Sequence, residues 1–375
     1  MAVRMSDTHY FAPFDLFAQR CNEPEKLEMR YRKFNLKALI DEAVRIVGNG
    51  ASTCVKVLKC VEGQFNKAFI LTMDNNTELV VKIPNPNAGP AFYTTASEVA
   101  TRNFLRDVLG ISVPRIYASS SDSENTVGAE YIFEEKSDGI PLGNFWYKLP
   151  QEAQLEIIRQ IVDIETKLSS LSFLKHGGIY FQSDLESKGL TCEPLTANLV
   201  NSSSRVLSHS VLEDFSIGPL TDVRLWEGEK ATMSLDRAHV SVVSTLSIIN
   251  LAKTEPGSTA AEYITALGSN EILWAKAHAK VRMNYHRSME HPEIPEDYLS
   301  LLQRYVALAP YLVPAASRDA PKTLSHPDLH LDNIFVDPNT KKNNQYHRLA
   351  IDLCLRAFLA ECFSTNARTS QSRYF

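Results

Sequence analysis

The hydrophobic pattern changes character once along this chain, near residue 136, and no other sequence feature constrains the fold as strongly. Before that point the apolar residues come in short runs divided by turn signals. CVKVLKCVEG and FNKAFILTM read as strands around Gly63, Asp74-Asn75-Asn76 reads as a turn, and TELVVKIP, IYASS and AEYIFEE read as three further strands. Two helices interrupt them. Residues 34–47 place Leu36, Leu39, Ile40, Ala43, Val44 and Val47 on one stripe, with Asn35 as cap and Gly48 as stop. A second helix is expected from Thr95 to Leu109, ending at Gly110. After SDGIPLG (137–143) the spacing becomes helical: Leu155, Ile158, Ile161, Val162, Leu168 and Leu171 recur at helical intervals. AAEYITALGSNEILWAKAHAKV and EDYLSLLQRYVALAPYLVP continue that pattern, and there is no internal repeat. The expectation is an α+β chain with a small strand-rich domain over residues 1–136 and a larger helical domain over 137–375.

Composition narrows the function. With 44% hydrophobic residues the chain can bury a substantial core, and a net charge of −5 with no basic stripe argues against a nucleic-acid partner. The six cysteines are scattered without a C-x-x-C pair, which argues against a zinc site or a disulfide framework and for a reducing compartment. The N-terminus lacks the apolar core of a signal peptide, and Asp7 and Asp15 sit among its arginines, which weakens a transit-peptide reading. VSVVSTLSIINLA (240–252) is too short and too rich in Ser and Thr for a membrane span, so no integral membrane segment is expected.

The stretch LSHPDLHLDNIF (324–335) concentrates ionisable groups inside an apolar run. Two readings fit it: a polar turn between buried strands, or a loop holding a catalytic base and a metal ligand. The second matches the short parts list of phosphoryl transfer, which needs a carboxylate to accept the acceptor's proton, hard oxygen ligands for Mg²⁺, and a lysine held by an acidic residue to grip phosphate. Asp328 is the candidate base. Asn333 and Asp352 are the candidate metal ligands. Lys82, alone in ELVVKIP, is the candidate phosphate contact, Glu98 on the next helix its partner, and Gly63 the turn of a phosphate-covering hairpin. Bland alternatives stand beside several of these. Lys82 can snorkel from an edge strand. Thr95-Ala96-Ser97-Glu98 fits a capping box, in which Glu98 closes back on its own helix start. His326 is expected to bond the loop backbone, His330 to be structural, and Asp332 to be a turn residue.

The order of these parts resembles the protein-kinase-like fold in its aminoglycoside phosphotransferase and choline kinase branch, where H-x-D-x-x-x-x-N is matched by His326, Asp328 and Asn333. MRYRKFNLKAL, IPNPNAGPAFYTTASEVAT, GIYFQSD, FSIGP and SHPDLHLDNIFVD together resemble a fungal group named for altered inheritance of mitochondria. The resemblance implies a two-lobe fold, ATP and Mg²⁺ as cofactors, and a small-molecule acceptor. It implies Lys82 at the α/β-phosphates, Asp328 as base, and Asn333 with Asp352 at metal. The segment from Glu130 to Glu135, including Tyr131 and Phe133, would be the hinge meeting adenine through main-chain groups.

The chain departs from that pattern in three places. Gly63 is a single glycine where a kinase loop has three. Residues 240–258 form no clear element. Leu353 follows Asp352 where an aromatic is usual, and the chain ends soon after. The resemblance therefore implies a shortened helical lobe, with apolar faces of 151–171 and YVALAPYLV uncovered and able to self-associate. A phosphotransferase is the first expectation. A pseudokinase-like protein that binds nucleotide without turnover is the second, and a protein kinase is disfavoured by the missing activation segment. The resemblance suggests mitochondria, with cytoplasm the alternative.

Overall fold

The structure is a computed structural model that describes residues 27–199 and 212–237, apart from positions 29, 49, 62, 138, 174 and 191, together with residues 260–284, 290–313, 322–326, 329–336 and 351–353. Helix α1 spans Leu36–Val47. Asn35 starts it by accepting the Ala38 N–H at 3.2 Å, and Gly48, at φ 62°, ends it in a conformation that costs a side chain. Strands β1 (Cys54–Lys59), β2 (Asn66–Met73) and β3 (Glu78–Pro84) follow as an antiparallel meander. Helix α2 (Tyr93–Asn103) comes next and runs into a π turn over Phe104–Val108, with Gly110 at φ 57° closing the segment. Strands β4 (Ile116–Ser120) and β5 (Tyr131–Glu135) complete a five-stranded sheet of order β1-β2-β3-β5-β4, antiparallel throughout.

Period-2 alternation gives this sheet two different faces. Leu79, Val81 and Ile83 of β3, Phe69, Leu71 and Met73 of β2, and Tyr131 and Phe133 of β5 form one apolar cluster with Leu39 and Ala43 of α1. The intervening residues Lys82 and Glu134 bond to side chains of α2 instead. Every residue of α2 from Thr95 to Arg102 is buried. A helix covered on all sides while carrying Glu98 and Arg102 must pair those charges internally.

After the two-residue strand β6 (Ile140–Pro141) comes helix α3 (Gln151–Leu168), and the division between two compact units falls inside that helix, after Glu165. The second unit contains β7 (Leu171–Phe173) paired with β9 (Ala197–Leu199), and β8 (Gly178–Phe181) paired with β10 (Phe215–Gly218), with the short helix α4 (Gln182–Ser187) between. It also contains the packed helices α5 (Ala260–His278) and α6 (Pro295–Leu312). Gly268 lets these two approach: a Cβ there would come within 2.7 Å of the Tyr305 ring and of Val306.

The chain then returns to the first unit with β11 (Ile334–Val336) and β12 (Ile351–Leu353), which build a three-stranded sheet with β6 in the order β12-β11-β6. The compact units therefore do not coincide with the expected boundary near Lys136: the first extends into α3 and takes back the segment His326–Leu359. The fold is α+β with a sheet-rich N-terminal part, as the sequence implies. Residues 240–258 and the tail after Leu353 lie outside the described residues. No helix among the described residues is long and apolar enough to cross a membrane.

Candidate functional site

Lys82 stands on β3 with its side chain on the α2 side of the sheet, and its ammonium pairs with the Glu98 carboxylate on α2. Both residues are buried, at 6% and 5% exposure, so the pair is a fixed internal contact rather than a solvated surface bridge. The snorkelling reading of Lys82 is thereby excluded for this structure. The capping-box reading of Glu98 is excluded too. Helix α2 begins at Tyr93 behind Phe92, Glu98 lies in its second turn, and the Thr95 hydroxyl donates to Glu130 at 2.6 Å instead of capping.

The structure adds two partners that the sequence analysis does not name. One turn beyond Glu98, the Arg102 guanidinium lies 3.5 Å from the same Glu98 oxygen. It also bonds Glu134 of β5 and donates to the Pro114 carbonyl at 2.9 Å. Two cations and two carboxylates thus make one buried network across β3, α2 and β5, with no net charge. The spacing of Arg102 from Glu98 was visible as a helical turn. The adjacency of β3 and β5, which brings Glu134 in, was not.

The hinge expectation needs correction. Tyr131 and Phe133 are core residues, their rings edge-on at 5.2 Å within the cluster under α1. Burial raises the Tyr131 phenol above its usual range, aided by Glu42, 3.5 Å from the hydroxyl. Strand β5 lies between β3 and β4, so its main-chain groups are spent on ladders to either side. A segment free to meet a ligand through its main chain starts no earlier than Lys136. Glu130, buried at 2% exposure, is engaged by Thr95.

Gly63 sits in the β1–β2 turn with an ordinary backbone conformation, and an added Cβ would meet only the Asn66 carbonyl at 3.5 Å. The turn therefore does not depend on glycine's conformational freedom.

Around the LSHPDLHLDNIF stretch, His326 is buried and Asp328 lies outside the described residues. Asn333 is fully buried at the end of a single turn, Leu331–Asn333, that leads into β11. The His330 ring brackets that turn. Its Nδ1 accepts the Asp332 N–H at 3.2 Å, its Nε2 lies 3.2 Å from Asn333 Nδ2, and its carbonyl accepts the Asn333 N–H at 3.0 Å. Gly143 packs against this turn so closely that a Cβ there would collide with the Asp332 carboxylate. The β11–β12 register sets Asp352 opposite Phe335, two residues past Asn333. Asp352 thus lies on the strand paired with the one that Asn333 leads into, and an amide and a carboxylate are donors that suit Mg²⁺. No group of three or more His, Cys, Asp or Glu residues is placed to hold a metal among the described residues.

No family model matches the chain. Two Aspergillus fumigatus proteins, each named a subtelomeric hrmA-associated cluster protein, are 36% identical over 303 residues, covering 77% of this chain and 56% of their own length. The altered inheritance of mitochondria protein 9 of Candida tropicalis is 35% identical over 133 residues, 33% of this chain and 22% of that protein. Its Candida glabrata counterpart is 22% identical over 326 residues, 78% of this chain and 48% of that protein. The likeness to the altered-inheritance group is thus a matter of sequence as well as of motif, and the chain spans about half the length of the first relatives it matches. Among solved structures, a type I macrolide 2'-phosphotransferase covers 88% of this chain and is itself covered over 76%, at 10% identity and a TM-score of 0.36, a superposition too loose to establish a fold.

Proposed function

We propose that this chain is a phosphotransferase that uses ATP and Mg²⁺ to phosphorylate a small-molecule hydroxyl. The observation that supports this most is the buried Lys82–Glu98 pair, on the sheet face opposite the apolar core. A strand lysine held straight by a carboxylate from a separate helix is the arrangement phosphate gripping requires. In this reading Lys82 brings positive charge to the α/β-phosphates, and Glu98 keeps its flexible stem in one rotamer. Asp328 takes the proton of the acceptor hydroxyl as that oxygen bonds to the γ-phosphorus. The bond from that phosphorus to its bridging oxygen breaks, and ADP leaves with the electron pair. Asn333 and Asp352 supply oxygen donors for Mg²⁺, whose chemistry there is neutralisation of phosphate charge. Main-chain contacts to adenine begin at Lys136, past the end of β5. The names of the Candida relatives include "mitochondrial", and we extend that location to this chain.

Calorimetric titration with ATP·Mg²⁺, followed by turnover assays on a panel of small hydroxyl compounds, tests the reading. Asp328→Ala should lower transfer about 100-fold or more while leaving the nucleotide Kd nearly unchanged. Unchanged turnover in that variant removes Asp328 from its role. Binding without transfer or hydrolysis in the native chain makes it a nucleotide-binding protein instead. Absence of binding overturns the proposal.

A further inference from the structure

The β1–β2 turn is the part of the proposed site least like a kinase loop, because it has one glycine and does not depend on it. Something else must define its shape. The side of the turn facing the β3–α2 connection shows what does.

Asn85 lies between Pro84 and Pro86, in extended conformation at φ −73° and ψ 159°, and is 1% exposed. Two flanking prolines leave that backbone little freedom. The Lys67 ammonium from β2 donates to the Asn85 side-chain oxygen at 2.6 Å and to the Arg30 carbonyl at 2.5 Å. A lysine can only donate, so this contact settles which end of the Asn85 amide is oxygen. The other end, Nδ2, donates to the Gln64 carbonyl at 3.3 Å. Asn87 Nδ2 donates to the same carbonyl at 3.3 Å. The Asn85 main-chain N–H donates to the Phe65 carbonyl at 2.8 Å.

We propose that Asn85 and Asn87 are positioning residues that preset the Gly63–Phe65 turn for a phosphate group. This rests on the phosphotransferase reading. The clamp draws two consecutive carbonyls toward residues 85–87, and a carbonyl engaged by amide donors is not presented to an anion. It replaces the adaptability of a glycine-rich loop with a turn whose shape exists before nucleotide arrives, which lowers the ordering cost of binding. Its anchor, Lys67, neighbours Ala68, the cross-strand partner of Lys82. The turn and the phosphate-gripping lysine therefore share one strand pair.

Asn85→Asp keeps the acceptor for Lys67 but replaces the donor to Gln64 with a carboxylate oxygen and adds a negative charge, whereas Asn87→Ala removes the second donor without adding charge. Hydrogen exchange of residues 60–68, measured without nucleotide, should speed up about tenfold in Asn85→Asp, the scale of one lost hydrogen bond, with β5 and α2 unchanged. The KM for ATP·Mg²⁺ should rise about tenfold with kcat held within about twofold, because the lost contact acts on binding rather than on the chemical step. Asn87→Ala should show a smaller change of the same kind. Unchanged exchange with unchanged KM overturns the proposal. Faster exchange spread over β3 and α2 also overturns it, by making Asn85 a general stability residue. Should the native chain bind no ATP·Mg²⁺, the phosphotransferase reading fails separately, and the exchange rates alone decide whether the clamp exists.

Discussion

Glu98 shows how one residue acquires its role from its neighbours. Its sequence context allowed a helix cap or a lysine partner, and the start of α2 at Tyr93 decides for the lysine. Glu98 also faces Arg102, which bonds Glu134 on the other side. This arrangement makes the two cations unequal. Lys82→Met leaves Glu98 beside Arg102, whereas Arg102→Met takes the guanidinium from both Glu98 and Glu134 and strands buried negative charge. We expect Arg102→Met to cost about 3–5 kcal/mol of unfolding free energy, the range for breaking a buried ion pair. Lys82→Met should cost less, about 1–3 kcal/mol, as for one buried group that loses a partner. Urea unfolding midpoints check the order, and a larger loss for Lys82→Met would contradict the shared-carboxylate arrangement. The lysine was legible as a lone cation in an apolar strand, the motif residues by their concentration and spacing in LSHPDLHLDNIF, and the glutamate by its place on the helix that follows the lysine's strand. Asn85 and Asn87 were not, because NPN reads as an ordinary turn until Lys67 and Gln64 arrive beside it.

At the scale of elements, periodicity located α1, α2, α5, α6 and the strands of the first sheet, and end effects moved their limits by a few residues. The hinge shows where such reading fails. AEYIFEE reads equally well as an edge strand leading into a linker or as an interior strand, and only the sheet order β3-β5-β4 shows that its main chain is already committed. The α5–α6 pair is a second case. Each helix has a legible apolar stripe, but polar contacts also join them: the Tyr298 hydroxyl of α6 donates to Glu271 of α5 at 2.9 Å, and the Tyr305 hydroxyl to the Ile264 carbonyl at 3.1 Å. Burial, with the hydrogen bond and charge of Glu271, pushes the Tyr298 phenol up to about 12. A folded-state value above the unfolded one means that this contribution to stability is intact below about pH 10, where the phenol ionises in an unfolded chain. It is lost as pH rises toward 12. Because Tyr298 is partly exposed, screening reduces the effect. Alkaline unfolding followed by circular dichroism should therefore show a steeper loss of stability in this window than Tyr298→Phe does. Identical profiles would show that the contact contributes nothing.

For the whole molecule, the decisive fact is that residues far apart in sequence build one unit: Lys82, Glu98, Asn333 and the β12 strand bearing Asp352 all belong to the first compact unit, although the segment Thr166–Ser325 of the second unit lies between them in the chain. If they serve one nucleotide site, ATP·Mg²⁺ should slow hydrogen exchange in β3, α2 and β11 with a single midpoint concentration. Separate midpoints for the β3–α2 and β11 segments would divide that site in two. The sequence by itself determined the change from strands to helices near residue 136, the lone lysine in its strand, and the His326, Asp328, Asn333 spacing, because these depend on local periodicity and on the cost of placing polar groups among apolar ones. Only the tertiary structure decided that β5 is an interior strand, that Arg102 and Glu134 complete the charge network, and that Asn85 bonds the β1–β2 turn. Strand order and buried polar pairing are settled by long-range satisfaction of hydrogen bonds and charge, which no local stretch of sequence records.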